Sequence, residues 1–201
     1  FNDWNVMPEH STRIYAALKK KGLPCMAFFH QGGHGGPPPL SLINKWFSRF
    51  LYGVDNDVLD GPRAWIVREG DSMRSPTAYP EYPHPKAESV TMYPSGKGKQ
   101  SGVLSQRGAG SGVLTVSDDW HIAGKDHALA EQSDHRLLFQ SGELKEPLHL
   151  SGTSKLKIRV ASDKPAVNLT VWVVSLPWKP SRRITDNIIT RGWADPQNHS
   201  S

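Results

Sequence analysis

The apolar residues of the first fifty positions form two helix patterns with a continuous apolar run between them. Pro8 to Lys21 carries its apolar side chains on one face, which predicts a helix. Residues 25–29, Cys-Met-Ala-Phe-Phe, form an unbroken apolar run typical of a parallel strand covered on both faces. A glycine-rich loop over residues 31–39 then leads to a second predicted helix, Leu40 to Tyr52. This order predicts the end of a parallel α/β sheet.

Beyond residue 61 the pattern changes to short strands separated by turn residues. In Lys155 to Val160 apolar and basic residues alternate strictly, as in a strand with one face in water. Such spacing favours an antiparallel β-sandwich, so we predict two domains, residues 1–61 and residues 62–201. The predicted strands are Arg63–Arg68, Val90–Tyr93, Gly112–Val116, Arg136–Gln140, Leu148–Leu150, Leu156–Ala161 and Ala166–Ser175.

Composition supports a folded, loop-rich chain and excludes some classes of function. Apolar residues make up 37% of the 201 positions, and 16 Pro with 18 Gly favour a mainly β architecture. The net charge of +5 is scattered without a nucleic-acid-binding motif, so we expect no nucleic-acid partner. No apolar stretch approaches the ~20 residues of a membrane helix, and we expect no membrane partner. The single cysteine, Cys25, excludes an internal disulfide and is expected to be buried.

Two residues stand where an acid and a base could meet. Asp3 follows the presumed end of one strand and precedes the first predicted helix, and His34 lies in the loop after the next predicted strand. The carboxyl ends of adjacent parallel strands lie side by side, so such loops can bring a carboxylate against an imidazole. The simpler interpretations are a helix N-cap for Asp3 and an ordinary surface position for His34. His30, at the end of the strand, is the alternative base.

Several ordered motifs resemble the Xaa-Pro dipeptidyl-peptidase branch of the S15 serine peptidases. The resemblance covers nearly the whole chain, in the expected order. The motifs are Asn2-Asp3-Trp4-Asn5-Val6, Phe29-His30-Gln31-Gly32-Gly33-His34, Asn44-Lys45-Trp46-Phe47, Leu51-Tyr52-Gly53-Val54-Asp55-Asn56, Leu137-Leu138-Phe139-Gln140-Ser141, Leu150-Ser151-Gly152 and Val160-Ala161-Ser162-Asp163-Lys164-Pro165.

The resemblance implies a fold and a function. It implies the C-terminal part of an α/β-hydrolase domain over residues 1–61, followed by a jelly-roll-like antiparallel β-sandwich over 62–201 that continues beyond Ser201. It implies a serine exopeptidase that releases X-Pro dipeptides from the N-termini of proline-containing peptides. Asp3 and His34 would be the triad acid and base, with His30 as the fallback base. Neither an organic cofactor nor a metal ion is expected.

This sequence departs from the family pattern at the nucleophile. The family's serine lies in a G-x-S-x-G elbow, which does not occur in this sequence. The resemblance therefore implies that an upstream catalytic segment bearing the serine and the oxyanion donors is a partner of these residues. The 201-residue chain alone is then expected to be inactive. A homo-oligomer and a cytoplasmic or secreted location both stay open.

Two alternative functions compete with this interpretation. An acyl esterase or acylase of the S15 type would have the same domain pair but a different substrate. A non-catalytic carbohydrate-binding or interaction module would use aromatic surfaces on the sandwich. The tryptophans that could form such surfaces are Trp65, Trp120, Trp172, Trp178 and Trp193.

Overall fold

The computed structural model of the chain describes residue 3 and residues 5–96, 101–108, 112–178 and 187–198. Its helices are α1 (Pro8–Lys20), α2 (Leu40–Tyr52) and α3 (Gly124–Leu129), with short 3-10 helices at Asp57–Leu59 and Pro196–Asn198. Its strands are β1 (Ala27–Phe29), β2 (Ala64–Ile66), β3 (Thr77–Tyr79), β4 (Tyr93–Ser95), β5 (Ser101–Ser105), β6 (Leu138–Gln140), β7 (Leu169–Val174) and β8 (Ile188–Ala194). Among the described helices, none is long and apolar enough to cross a membrane.

The first two helices begin and end where the sequence predicts. Pro8 opens α1, where its missing N–H costs no helical hydrogen bond. Gly22 follows α1 with a φ of +66°, which is favourable for glycine. Gly53 ends α2 in the left-handed conformation, and the backbone N–H of Val54, the next residue, donates to the carbonyl of Ser48. Glycines at these two positions therefore fix the ends of both helices.

The chain divides into two compact units, residues 1–86 with 151–201 and residues 87–150. In the first unit β1 pairs in parallel with β2, and β2 pairs antiparallel with β3. Ala64 of β2 is 0% exposed, at the centre of the apolar core. The core is formed by Tyr15, Cys25, Ala27, Phe29, Ala64, Ile66 and Tyr82, with Leu18 and Tyr79 packed against it. The core therefore joins α1 to the sheet, and the burial of Cys25 confirms its predicted role.

The first unit also holds the longest described ladder. Strand β7 pairs antiparallel with β8 from Leu169 opposite Ala194 to Val174 opposite Ile188, with an irregularity at Val173/Val174. This register places Arg191 opposite Trp172. The sequence predicted β7 within Ala166–Ser175 but gave no separate strand for β8.

The second unit contains the sheet β4–β5–β6 and the helix α3. Strand β4 pairs antiparallel with β5, and β5 pairs in parallel with β6. Gly102 of β5 lies so close to its neighbours that an added Cβ would overlap the carbonyl oxygen of Ser95 and lie 2.9 Å from the Phe139 ring. The absence of a side chain at residue 102 therefore allows the three strands to approach each other.

The described pairings are mostly antiparallel, three of five, and helices are few, which is compatible with a β-sandwich. Some predicted strands are wrong, because residues 113–116, 148–150 and 156–161 form no strand. In Lys155–Val160 the alternating apolar side chains are exposed rather than buried on one face. A two-residue period becomes a strand only when a neighbouring strand takes up its hydrogen bonds. The predicted strand at Val90–Tyr93 lies instead at Tyr93–Ser95.

Strands from both sides of the predicted domain boundary belong to one sheet. Ala27 of β1 and Ala64 of β2 are directly paired, although the boundary was placed at residue 61. Residues 151–201 group with the N-terminal segment rather than with residues 87–150. The division into an α/β domain over residues 1–61 and a sandwich domain over residues 62–201 stays a prediction.

Replacing Gly102 by Ala should destabilise the second unit by about 1–3 kcal/mol, the usual cost of overpacking. The new Cβ would collide with a backbone oxygen, which cannot rotate away as a side chain could. Urea unfolding of the purified chain measures the change. Gly142→Ala is the matched control, because a Cβ at residue 142 meets nothing within 4 Å. Equal unfolding midpoints for the two variants would contradict the close approach at Gly102.

Candidate functional site

Asp3 is held by backbone donors that follow it in the chain. Its Oδ1 accepts hydrogen bonds from the backbone N–H groups of Asn5, at 2.8 Å, and Val6, at 3.0 Å. This local turn is typical of aspartate before a helix. The N-cap of α1 is Met7, which makes no side-chain cap, so Asp3 does not cap this helix. The turn leaves the other carboxylate oxygen, Oδ2, for a different partner.

That partner is His34. Its Nδ1 lies 2.9 Å from Oδ2 of Asp3, across 31 residues of sequence. The side chain of Asp3 is 19% exposed, whereas that of His34 is 64% exposed. The loop between β1 and α2 turns sharply after His34 because Gly35 and Gly36 have φ values of +99° and +108°. The structure thus brings together the two residues that the sequence singled out.

The hydrogen bonds at Asp3 favour its charged form. The backbone N–H of Val6, then the His34 side chain, then the N–H of Asn5 lower the pKa of Asp3 from 3.8 to about 2. An ionised carboxylate can only accept hydrogen bonds, so Nδ1 of His34 must carry the proton that it shares with Asp3. The Nε2 atom, on the far side of the ring, then has a free lone pair that can accept a proton.

His30, the alternative base, has a different environment. Its Nδ1 accepts a hydrogen bond from the backbone N–H of Gly32 at 3.0 Å. A Cβ added at Gly32 would lie 2.9 Å from Nδ1 of His30, and one at Gly36 would lie 3.1 Å from its Nε2. Burial lowers the pKa of His30. The loop that carries His34 therefore packs around the His30 ring.

Sequence reasoning missed Arg191. Its Nη2 donates a hydrogen bond of 2.7 Å to the backbone carbonyl oxygen of Asp3, 188 residues away. Arg191 occurs within Thr190-Arg191-Gly192-Trp193, a segment without a feature that separates this arginine from other basic residues. Only the tertiary structure, which brings Arg191 next to Asp3, could identify this residue.

The described residues hold a second carboxylate–imidazole contact, Asp119 with His121 at 2.9 Å, but its two members are only two positions apart in the sequence. Among the described residues, no group of three or more His, Cys, Asp or Glu side chains could hold a metal ion. Trp120 is 82% exposed and its ring stacks on His121, with centroids 3.8 Å apart. Trp193 is 50% exposed, and the remaining candidate tryptophans, Trp65, Trp172 and Trp178, are half-buried.

Comparison with known proteins identifies the family. Residues 56–201 match the family model described as the X-Pro dipeptidyl-peptidase C-terminal non-catalytic domain. The chain belongs to the Xaa-Pro dipeptidyl-peptidase family. Asp3 and His34 both precede the matched residues, so the description "non-catalytic" does not extend to them.

Relatives are found in several bacteria. A protein of Rhodopirellula baltica provisionally named Xaa-Pro dipeptidyl-peptidase is 54% identical over 100% of this chain and 33% of its own length. A Bacillus cereus protein with the same provisional name is 30% identical over 100% of this chain and 34% of its own. The Xaa-Pro dipeptidyl-peptidase of Lactobacillus delbrueckii subsp. lactis is 26% identical over 95% of this chain and 26% of its own.

The chain therefore spans about one third, or less, of the length of these relatives, and it matches their C-terminal portion. No solved structure matches the chain significantly.

Replacing His34 by Ala should raise the pKa of Asp3 from about 2 but leave it below 3.8, because the Val6 and Asn5 donors remain. Since folding lowers this pKa, its contribution to stability is complete above pH 3.8 and is lost as the pH falls toward 2. The carboxyl carbon chemical shift of Asp3, followed by NMR against pH, measures both midpoints.

His121→Ala is the matched control for this titration. His121 contacts Asp119 at the same distance of 2.9 Å but belongs to the second unit. This substitution keeps the backbone N–H of residue 121, the larger cause of the lowered pKa of Asp119, but removes the imidazole hydrogen bond, so the pKa of Asp119 should rise in part and that of Asp3 should stay unchanged. A midpoint for Asp3 that does not respond to His34→Ala would show that the contact is absent in solution.

Proposed function

We propose that this chain is the C-terminal part of a serine exopeptidase that releases X-Pro dipeptides from peptide N-termini. The observation that carries the proposal is the hydrogen bond between Oδ2 of Asp3 and Nδ1 of His34. In serine hydrolases the triad carboxylate contacts Nδ1 and leaves Nε2 for the serine. Membership of the Xaa-Pro dipeptidyl-peptidase family supports the substrate class. The names of the relatives support a peptidase rather than a binding module.

In the proposed mechanism His34 moves the protons and Asp3 holds the ring. A serine outside residues 1–201 attacks the carbonyl carbon after proline while Nε2 of His34 takes the serine proton. His34 then gives that proton to the departing amine, which leaves an acyl-enzyme. Water attacks the acyl-enzyme by the same route and releases the dipeptide. Asp3, ionised over the working pH range, keeps the proton on Nδ1 and stabilises the imidazolium that forms.

The proposal includes a fold for each part of the chain. We infer that β1 and the loop to α2 belong to the edge of an α/β-hydrolase sheet, and that the later strands belong to a jelly-roll-like sandwich. The parallel pairing of β1 with β2 supports the first inference. Further support comes from α2, where Leu51 is 67% exposed and Leu40 is 80% exposed. A catalytic segment bearing the serine would cover these apolar side chains.

In a protein that contains both this chain and the proposed serine, His34→Ala should lower kcat by about 10⁴-fold or more, because proton transfer to and from the serine is lost. The cleavage of an X-Pro chromogenic amide measures the change. His10→Ala is the control, since His10 is exposed on α1 and lies outside the proposed site. Near-normal turnover by His34→Ala would refute the triad assignment.

The isolated 201-residue chain serves as a further control in the same assay. It should not cleave the amide, because its sequence lacks the G-x-S-x-G elbow. Measurable triad hydrolysis by the isolated chain would contradict the proposed location of the nucleophile.

A comparison of an amide substrate with an ester substrate distinguishes a peptidase from an esterase. The serine-containing protein should show a higher kcat/KM on an X-Pro amide with a free N-terminus than on a simple aryl ester. An amine-binding and proline-binding pocket would stabilise only the dipeptidyl transition state. The same amide with a blocked N-terminus is the matched control. Preference for the aryl ester, regardless of the N-terminal block, would favour the S15 acyl esterase alternative.

A further inference from the structure

Asp3 and Arg191 join two distant parts of the first unit. The guanidinium Nη2 of Arg191 donates to the main-chain carbonyl oxygen of Asp3 at 2.7 Å, in a partly buried setting. A hydrogen bond from a charged donor is stronger than one between neutral groups, and more so where water is partly excluded. The contact therefore restrains the backbone of the residue whose side chain holds His34.

Arg191 is itself held in position. It lies on β8, opposite Trp172 of β7, within the longest described ladder. Its guanidinium carbon is 5.7 Å from the centroid of the Trp193 ring, which is the range of a cation–π contact. Burial lowers the pKa of Arg191, and the charge of Asp3 opposes this change. An arginine keeps its proton throughout the physiological pH range, so the donor is always present.

The three acceptor oxygens of Asp3 are thus divided among four partner residues. The carbonyl oxygen faces Arg191, Oδ1 faces the N–H groups of Asn5 and Val6, and Oδ2 faces His34. The backbone turn fixes the side chain relative to its own residue. Arg191 fixes that residue relative to β8, in the part of the chain matched by the non-catalytic family model.

We propose that Arg191 is a positioning residue for the Asp3–His34 pair, so that the C-terminal domain contributes to catalysis without touching the substrate. The inference rests on the proposed function for its catalytic consequence, but the effect on the geometry of His34 can be measured separately. A displacement of about 1 Å in a catalytic group can cost about 100-fold in rate. An anchor on the backbone of Asp3 limits such displacement.

The first test measures the imidazole of His34 in the 201-residue chain. In the unaltered chain, ¹⁵N NMR should show the Nδ1–H tautomer of neutral His34, because Asp3 accepts that proton. Arg191→Gln should shift the population toward the Nε2–H tautomer by loosening Asp3. A tautomer population identical in the two proteins would overturn the inference.

Arg136→Gln is the matched control for both tests. Arg136 also donates to backbone carbonyls, those of His127 and Ala130, but it belongs to the second unit. Its replacement removes the same kind of contact, and should lower the melting temperature without changing the His34 tautomer. If Arg136→Gln shifted the tautomer as far as Arg191→Gln, a general loss of stability would explain the effect and the positioning role would fall.

The second test measures kinetics in the serine-containing protein. Arg191→Gln should lower kcat by about 10- to 100-fold with KM changed by less than about two-fold, since ground-state binding is not affected. Arg191→Lys keeps one charged donor but not the planar guanidinium, so it should give an intermediate kcat. This variant replaces Arg191→Gln in the test if the Gln variant does not fold. A normal kcat in both variants would overturn the inference.

His34→Ala separates failure of this inference from failure of the proposed function. If His34→Ala is inactive while Arg191→Gln has full activity, only the positioning role is wrong. If His34→Ala retains activity, the proposed function is wrong, and the tautomer measurement then decides alone whether Arg191 orders the pair.

Discussion

The parallel pairing of β1 with β2 is the contact on which the first unit depends. It joins Ala27–Phe29 to Ala64–Ile66 and places Ala64, which is fully buried, at the centre of the core. Helix α1 packs on one side of this pair through Tyr15, and the ring of Tyr82 lies 4.9 Å from that of Phe29. The loop that carries His34 leaves from the end of β1. The strand pairing therefore fixes the point from which the loop that carries the imidazole begins.

Hydrogen bonds to Asp3 hold the other half of the site. A carboxylate before a helix usually takes local backbone donors, and Asp3 does so through Oδ1 alone. The hydrogen bonds from Val6, His34 and Asn5 lower the pKa of this carboxyl to about 2, so it stays ionised. The local turn uses only Oδ1, which leaves Oδ2 for the imidazole. The contact from Arg191 to the main-chain carbonyl uses neither carboxylate oxygen. Turn, imidazole and guanidinium therefore act on the same residue without competing.

The family description and this geometry concern different residues. The matched residues 56–201 form the part of the chain described as non-catalytic, and Asp3 and His34 precede them. Arg191 lies inside the matched part and contacts Asp3. A domain without reacting groups can still influence a reaction if it restrains the backbone of a residue that has one. The first unit, which contains residues of both segments, is consistent with such a connection.

The sequence by itself determined the features that depend on neighbouring residues. The bounds of α1 and α2 followed from the patterns of residues 8–21 and 40–52, and the buried strand followed from the apolar run that ends at Phe29. The pairing of Asp3 with His34 could be predicted because loops that follow parallel strands meet at one edge of a sheet. Ordered motifs along the chain were also enough to predict its family.

Tertiary structure decided what depends on a partner far along the chain. The alternating residues 155–160 have a strand pattern but form no strand, since pairing requires a neighbour that the pattern does not specify. Strand β8 and the contact from Arg191 to Asp3 were not predicted, because both arise from residues brought together across long separations. Local propensity and spacing act over a few residues, whereas strand partners and a hydrogen bond across 188 residues are chosen by the folded chain as a whole.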